Sequence, residues 1–245
     1  MHDPERPLRD LSSFEIQRQP TDVTCGPTCL HAVYRYFGDA ISLEEVLAQV
    51  PSLEEGGTLG VLLACHALAR GYRATIVTWN LQVFDPTWFE PDVDLRDKLL
   101  RRRETTIDRK LRLATRSYVD FLDAGGTVEY RDLDADLLRG YLHRGIPVMS
   151  GLSATFLYRE SREQPTGEID DVGGDPVGHF VVLTGHRRAT DEVAVSDPFP
   201  TRANVNLHNY LVKMDRLIGS IYLGVLTFDA NLIVVEPQSG PKERA

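Results

Sequence analysis

Cysteine is scarce in this sequence, and its three occurrences, Cys25, Cys29 and Cys65, are an odd number. So few thiols exclude the dense disulfide framework that stabilises many small secreted domains. The cysteine content therefore predicts a reducing, cytoplasmic location, in which all three thiols are free for chemistry.

Long apolar runs and excess positive charge are also missing. No stretch approaches the roughly 18 apolar residues of a membrane-crossing helix, and residues 1–19 contain no apolar signal segment. The net charge is −9, and the one basic cluster, residues 101–116, is interrupted by acidic residues and has helical periodicity. We interpret this cluster as a solvated helix face. We expect neither membrane insertion nor binding to nucleic acid, while the oligomeric state stays unknown.

The remaining composition is that of an ordinary globular protein, with 245 residues of which 42% are hydrophobic. We assign residues 1–18 to an N-terminal extension, residues 19–236 to a single domain and residues 237–245 to a flexible tail. An acidic, glycine-containing stretch, residues 160–175, predicts a mobile surface loop inside the domain.

Periodicity places most helices before most strands. It predicts helices at residues 26–37, 42–50, 58–71, 94–123, 134–143 and 208–217, and strands at residues 72–78, 127–130, 146–152, 155–159, 177–185, 192–196 and 224–235. This order predicts an α+β fold in which an N-terminal helical half packs on a C-terminal antiparallel sheet.

A thiol lies where an irregular segment becomes the first helix. Cys25 is expected at the N-terminal end, where the helix dipole and free backbone N–H groups stabilise a thiolate. We interpret Gly26 as leaving room for a carbonyl substrate, whereas Cys29 and Cys65 have the pattern of buried apolar positions. The pattern predicts Cys25 as a nucleophile.

An attacked carbonyl needs hydrogen-bond donors for its developing oxyanion. Gln19, six residues before Cys25, is positioned to provide a side-chain amide beside the Cys25 backbone N–H. Taken alone, Gln19 is more typical of an exposed loop.

A thiol nucleophile also needs a base, and seven histidines are available. If Leu183 faces Val193 in a hairpin, the same register sets His179 opposite Asp197. Opposed residues have Cβ atoms roughly 4.5 to 5.5 Å apart, so an imidazole could reach the carboxylate. A slip of one residue would turn the two side chains to opposite faces. His186 is expected to be exposed near the turn.

Three segments together resemble the C39-like branch of papain-like cysteine peptidases. They are Gln19 followed after five residues by Cys25-Gly26, the strand at 178–183, and the run 195–198 that contains Asp197. The resemblance implies a papain-like fold and a site in which Cys25 is the nucleophile, His179 the base, Asp197 its orienter and Gln19 an oxyanion-hole donor. It also implies a peptide or protein substrate and no metal or cofactor. Family members in bacteriocin exporters cut leader peptides after a double glycine, but we carry over the catalytic roles and not this substrate.

Three alternatives to a peptidase stay open. The same machinery would be a transpeptidase if an amine replaced water, as in the similar phytochelatin synthases. A catalytically silent peptide-binding domain would keep the cleft without needing the four residues. A zinc module built from Cys25, Cys29, His31, Cys65 and His66 fits poorly, because their helical spacing points the side chains in different directions.

Overall fold

A computed structural model describes residues 13–54, 56–199 and 208–238 of the chain. The α-helices in these ranges are α1 Cys25–Tyr36, α2 Leu43–Gln49, α3 Gly60–Ala69, α4 Leu95–Thr105, α5 Arg109–Asp123, α6 Ala135–Leu142, α7 Ala154–Tyr158 and α8 Met214–Leu223. The strands are β1 Tyr72–Thr78, β2 Thr127–Glu129, β3 Val148–Ser153, β4 Gly178–Arg187, β5 Glu192–Ser196, β6 Asn209–Lys213 and β7 Asn231–Pro237. Two 3₁₀ turns cover Pro86–Phe89 and Gly224–Thr227.

The strands form one sheet in the order β2-β1-β7-β3-β4-β5-β6, which confirms the α+β class. The sheet is mixed rather than purely antiparallel, because β2 pairs in parallel with β1 while the other neighbouring pairs are antiparallel. A parallel pair needs a long crossover, and α4 and α5 lie in the crossover between β1 and β2.

Helices cover both faces of this sheet. Successive side chains of a strand point to opposite faces, so Phe180 and Val182 of β4 pack with α1 to α5 in one core. Val181 and Leu183 pack in a second core with residues of α6 and α8. The predicted packing of the N-terminal helices on the sheet is therefore present, with a smaller helical layer on the other face.

Two of the predicted secondary-structure elements, both near the candidate active site described below, are wrong. The predicted strand at 155–159 is instead covered by the helix α7, Ala154–Tyr158, because the Ser153 side chain accepts a hydrogen bond from Phe156 N and begins a helical turn. That turn ends at Arg159, which has a left-handed φ of 58°. The predicted helix at 208–217 begins only at Met214, since residues 209–213 form the edge strand β6.

The segments next to the domain boundaries pack against the domain. Phe14 is buried, with its ring centroid 5.8 Å from that of Tyr36, and Pro237 pairs with Tyr72 at the end of β7. Residues 1–12 and 239–245 lie outside the described residues, so the extension and the flexible tail remain predictions. Over residues 13–54, 56–199 and 208–238, no helix has both the length and the apolar character needed to span a bilayer.

The acidic stretch at residues 160–175 is hydrogen-bonded within itself. Glu163 forms isolated bridges with Ile169 and with Asp175. The Asp170 carboxylate accepts hydrogen bonds from Gly173 N at 2.7 Å and from Gln164 Nε2 at 2.6 Å. The stretch is therefore a folded-back surface loop, and its mobility stays a prediction.

Candidate active site

Cys25 is the first residue of α1, as predicted, and its side chain is half-buried. Within the described part of the chain, the backbone N–H groups of Cys25 and Gly26 make no hydrogen bond, as expected for the first turn of a helix. Thr28 stabilises this first turn, because its backbone N and its Oγ1 both donate hydrogen bonds to Thr24 O, at 3.1 and 2.7 Å. The thiol therefore lies beside two free donors at the positive end of the helix.

The interpretation of Gly26 as a gap for the substrate is wrong. A Cβ at this position would lie 2.8 Å from Thr58 Cγ2 and 3.0 Å from Leu63 Cδ1, and 3.3 Å from the Phe180 ring. Glycine is needed here because α1 packs closely against α3 and β4.

The β4–β5 register differs by two residues from the predicted one. Leu183 lies opposite Val195 and not Val193, which makes His179 and Asp197 diagonal neighbours. A shift of two residues keeps both side chains on the same face, so their contact survives. His179 Nε2 lies 2.8 Å from Asp197 Oδ1. A β-bulge between Leu183 and Gly185 then changes the register toward the turn.

The Cys25 thiol lies close enough to the His179 imidazole for its charge to act on the ring. Burial of His179 lowers its pKa, but the charges of Asp197 and Cys25 and the hydrogen bond to Asp197 outweigh burial and raise the pKa to about 10. The imidazolium form is thus favoured at neutral pH. This is the arrangement expected of a papain-like site, in which a helix-borne thiol meets a histidine and carboxylate of the sheet.

The Asp197 carboxylate accepts four hydrogen bonds, two on each oxygen. His179 Nε2 and Phe199 N donate to Oδ1, the latter at 2.9 Å. The hydroxyls of Tyr158 and Tyr210 both donate to Oδ2, Tyr210 at 2.6 Å. Although complete burial raises the pKa of Asp197, the charge of His179 and these hydrogen bonds outweigh it and hold the pKa below its ordinary value.

Sequence reasoning missed the two tyrosines. Tyr158 lies in α7 and Tyr210 in β6, the two elements that the sequence pattern assigned wrongly. Burial and the Asp197 charge raise the pKa of both phenols, so each stays a donor to the carboxylate. We therefore regard Tyr158 and Tyr210 as positioning residues, which act on His179 through Asp197.

Replacing Tyr210 with phenylalanine should destabilise the protein by about 1.5 to 3 kcal/mol, because a hydrogen bond to a charged, buried group is lost. The free energy of unfolding in urea measures this loss. The exposed Tyr222 provides the matched control, since Tyr222→Phe removes a hydroxyl from the surface. Equal stabilities of the two variants would contradict the role of Tyr210.

Gln19 is 5% exposed, so the alternative of an exposed loop glutamine is wrong. Its backbone N donates to Pro198 O at 2.9 Å, which joins the segment before α1 to the residue after Asp197. One N–H of the side-chain amide donates to Thr21 O at 2.9 Å, and Oε1 is buried with no described partner. The second N–H of Nε2 makes no hydrogen bond to the residues that the structure describes, and the role of Gln19 in an oxyanion hole stays a prediction.

In the described part of the chain, the other singled-out thiols and histidines make no hydrogen bond to His179 or to the Asp197 carboxylate. Cys29 nevertheless lies near enough for the charges of Cys25 and Asp197 to act on it. Cys29 is fully buried, and burial raises its pKa well above the ordinary value. Cys65 is half-buried on α3, and burial raises its pKa to about 11. His186, expected to be exposed, has a side chain only 4% exposed and bonds Asp191 at 2.9 Å. Among the residues that the structure describes, no three or more histidine, cysteine or acidic side chains cluster as metal ligands would.

No protein-family model and no curated protein matches the sequence. The chain resembles several solved structures. The peptidase domain of Streptococcus ComA, a bifunctional ABC transporter of a quorum-sensing pathway, has 13% identity and a TM-score of 0.45, with 92% of this chain and 99% of that chain covered. A double-glycine-motif protease from an AMS/PCAT transporter, in complex with the leader peptide, has 13% identity and a TM-score of 0.43, with 91% of each chain covered. A Bacillus anthracis protein described as a C39-like peptidase has 14% identity and a TM-score of 0.46, with 94% and 97% covered. The chain is thus similar in structure to C39 peptidase domains over most of its length.

Proposed function

We propose that this protein is a cysteine peptidase that hydrolyses a peptide or isopeptide bond through an acyl-enzyme. The observation that carries the proposal is the connected set of Cys25, His179 and Asp197. Cys25 at the start of α1 lies within electrostatic reach of His179, and His179 Nε2 lies 2.8 Å from Oδ1 of the buried Asp197 carboxylate. A thiol beside an imidazole that a carboxylate orients is the signature of thiol acyl transfer.

In the first half-reaction, His179 holds the proton as an imidazolium and the Cys25 thiolate attacks the carbonyl carbon of a bound peptide. The C–N bond then breaks, and the imidazolium gives its proton to the leaving amine. The raised pKa of His179 supports this step, because it keeps the proton on the imidazole until the amine departs. Asp197 holds the ring in the orientation that the transfer needs.

The tetrahedral intermediate carries a negative oxygen, which needs nearby donors. The backbone N–H groups of Cys25 and Gly26 are unpaired in the described part of the chain, and Gln19 has an unused amide N–H. We assign the Cys25 N–H and the Gln19 amide to the oxyanion hole. In the second half-reaction, His179 removes a proton from water, which attacks the thioester and releases the acid.

A peptide-library digest followed by mass spectrometry tests this function. Native protein should produce cleavage products that the Cys25→Ala variant does not. Products that have gained an added amine in place of water would identify a transpeptidase on the same site. Absence of any new product over a wide library would instead favour a peptide-binding domain. The peptide substrate and the predicted cytoplasmic location both stay predictions.

Brief exposure to iodoacetamide should alkylate Cys25 at least about 100-fold faster than Cys65. With a pKa of about 11, only about one Cys65 side chain in 10⁴ is a thiolate at pH 7. Cys29 is further protected by complete burial. Mass mapping of the labelled peptides gives the three rates, and preferential labelling of Cys65 would contradict the assignment of the nucleophile.

A further inference from the structure

Asp229 is a buried carboxyl that the proposed mechanism does not use. It lies between the 3₁₀ turn at Gly224–Thr227 and β7, and it is 6% exposed. Thr227 Oγ1 donates to its Oδ2 at 2.8 Å. Within residues 13–54, 56–199 and 208–238, no group donates a hydrogen bond to Oδ1 and no lysine or arginine forms an ion pair with this carboxyl. A carboxylate so placed lacks the partner that burial of a charge demands.

Two glycines make room for this carboxyl beside the site. A Cβ at Gly178 would lie 2.5 Å from Oδ2 of Asp229, and a Cβ at Gly151 would lie 2.8 Å from Oδ1. Both distances are too short for any side chain, so glycine is needed at both positions. Gly178 directly precedes His179, which brings Asp229 next to the histidine of the site.

The backbone on either side of Asp229 is strained. Phe228 and Ala230 both have left-handed conformations, with φ of 66° and 62°. Such a conformation costs roughly 1 to 2 kcal/mol for a residue other than glycine, and it persists where surrounding contacts impose it. Here Asp229 N donates to Gly224 O at 2.9 Å, and Ala230 N donates to Gly151 O at 3.2 Å. These hydrogen bonds thus hold Asp229 in place although its two neighbours disfavour a left-handed backbone. Residues at binding sites are often held in this way.

Charges on both α5 and β4 act on Asp229. Burial raises the pKa of Asp229 to about 7, against the opposing effects of the Thr227 hydrogen bond and of the charges of Lys110 on α5 and His179 on β4. Burial and the Asp229 charge together raise the pKa of Tyr118 on α5. The carboxyl therefore lies between α5 and β4, within electrostatic reach of His179, and it is partly ionised near neutral pH.

We propose that Asp229 is a specificity-determining residue that binds the cationic side chain of a lysine or arginine in the substrate, close to the scissile bond. This inference rests on the proposed peptidase function. A basic side chain would give Oδ1 the partner that the described residues do not provide. An apolar side chain would leave the Asp229 carboxylate unpaired. The free-energy cost of that unpaired carboxylate would make the site select basic substrates over apolar ones.

Peptidyl chloromethyl ketones provide the test, because Cys25 becomes alkylated by displacement of chloride without any hydrolysis. Pairs of probes carry lysine or norleucine at one of the two residues nearest the reactive group. Norleucine has the same carbon chain as lysine but no ammonium. At pH 8 the lysine probe should inactivate native protein at least about tenfold faster at one of these positions, a difference of about 1.4 kcal/mol. Raising the pH from 6 to 8 should increase the ratio, since Asp229 ionises in this range.

The Asp229→Asn variant should lower the lysine-to-norleucine ratio to about one while the norleucine probe still alkylates Cys25. That alkylation also reports whether the site is still folded. Asp132→Asn, which neutralises an exposed carboxylate, is the matched control and should behave as native protein. A ratio near one in native protein, a ratio that survives in Asp229→Asn, or an equal loss for both probes would overturn the inference.

The two proposals fail in different ways. A lysine preference that depends on Asp229, in a protein that cleaves no peptide, would support the cation site and end the peptidase assignment. Cleavage of peptides without a charge preference would support the peptidase and end the cation site. Failure of every probe to alkylate Cys25 would end both.

Discussion

Cys25→Ala should lower kcat by at least about 10⁴-fold on every peptide that native protein cleaves, because burial raises the pKa of both other thiols and each is hydrogen-bonded to a backbone carbonyl. The remaining machinery can bind a peptide and polarise its carbonyl, but no acyl-enzyme can form. Rates on one cleavable peptide, with folding checked by circular dichroism, measure the loss.

Cys65→Ala is the control for this substitution. Cys65 is a half-buried thiol on α3 whose sulfur contacts Ser117 O at 3.8 Å, away from the Cys25 and His179 pair. Its replacement should leave kcat/KM close to that of native protein. Substantial turnover by Cys25→Ala would show that the nucleophile is another group.

Asp197→Ala should destabilise the folded protein by about 3 to 5 kcal/mol, the usual cost of removing one partner of a buried ion pair. The substitution would remove the hydrogen-bond acceptor of four donors, which are His179 Nε2, Phe199 N and the two tyrosine hydroxyls. Unfolding in urea measures the change. Asp197→Asn, which keeps one acceptor oxygen, should lose less stability than the alanine variant, and equal losses would contradict the assignment of charge and hydrogen bonding to this site.

The pH dependence of unfolding provides a second readout of the same variant. The pKa of His179 is raised from 6.5 to about 10 in the folded state, so the folded protein holds a proton that the unfolded chain releases. This contribution is fully present below pH 6.5 and is lost as the pH rises through about 10. The Asp197→Ala variant should show a much weaker decline over this window, because the main charge that favours the imidazolium is gone.

The position of Cys25 could be predicted because local signals determine it. A glycine and a proline directly after the thiol, followed by an amphipathic period, indicate a helix start, and helix α1 begins at Cys25. The contact of His179 with Asp197 was predicted from a register that is wrong. It is nevertheless present, because strand faces repeat every two residues and the error was two residues.

Features that depend on distant packing could not be predicted in this way. Residues 154–158 are rich in types that suit a strand, yet Ser153 caps a helical turn there and Tyr158 reaches Asp197 from it. Tyr210 is 13 residues beyond Asp197 in sequence but bonds its carboxylate, because β6 pairs with β5. The position of the Asp229 carboxyl likewise depends on the space that two glycines on β3 and β4 leave for it. No sequence pattern near Asp229 indicates that contact.

The position of β7 in the sheet has a consequence for the order of folding. This strand, at residues 231–237, lies between β1 and β3 and is the link that joins the β2-β1 pair to the remaining strands. A growing chain can complete the α1 to α5 layer early, but the sheet stays in two pieces until β7 leaves the ribosome. Helix α1, which begins at Cys25, packs directly on β4, which contains His179, so the thiol meets its base only after residues 178–187 have been made. A peptidase assembled in this order would be inactive while its own chain is still exposed and unfolded.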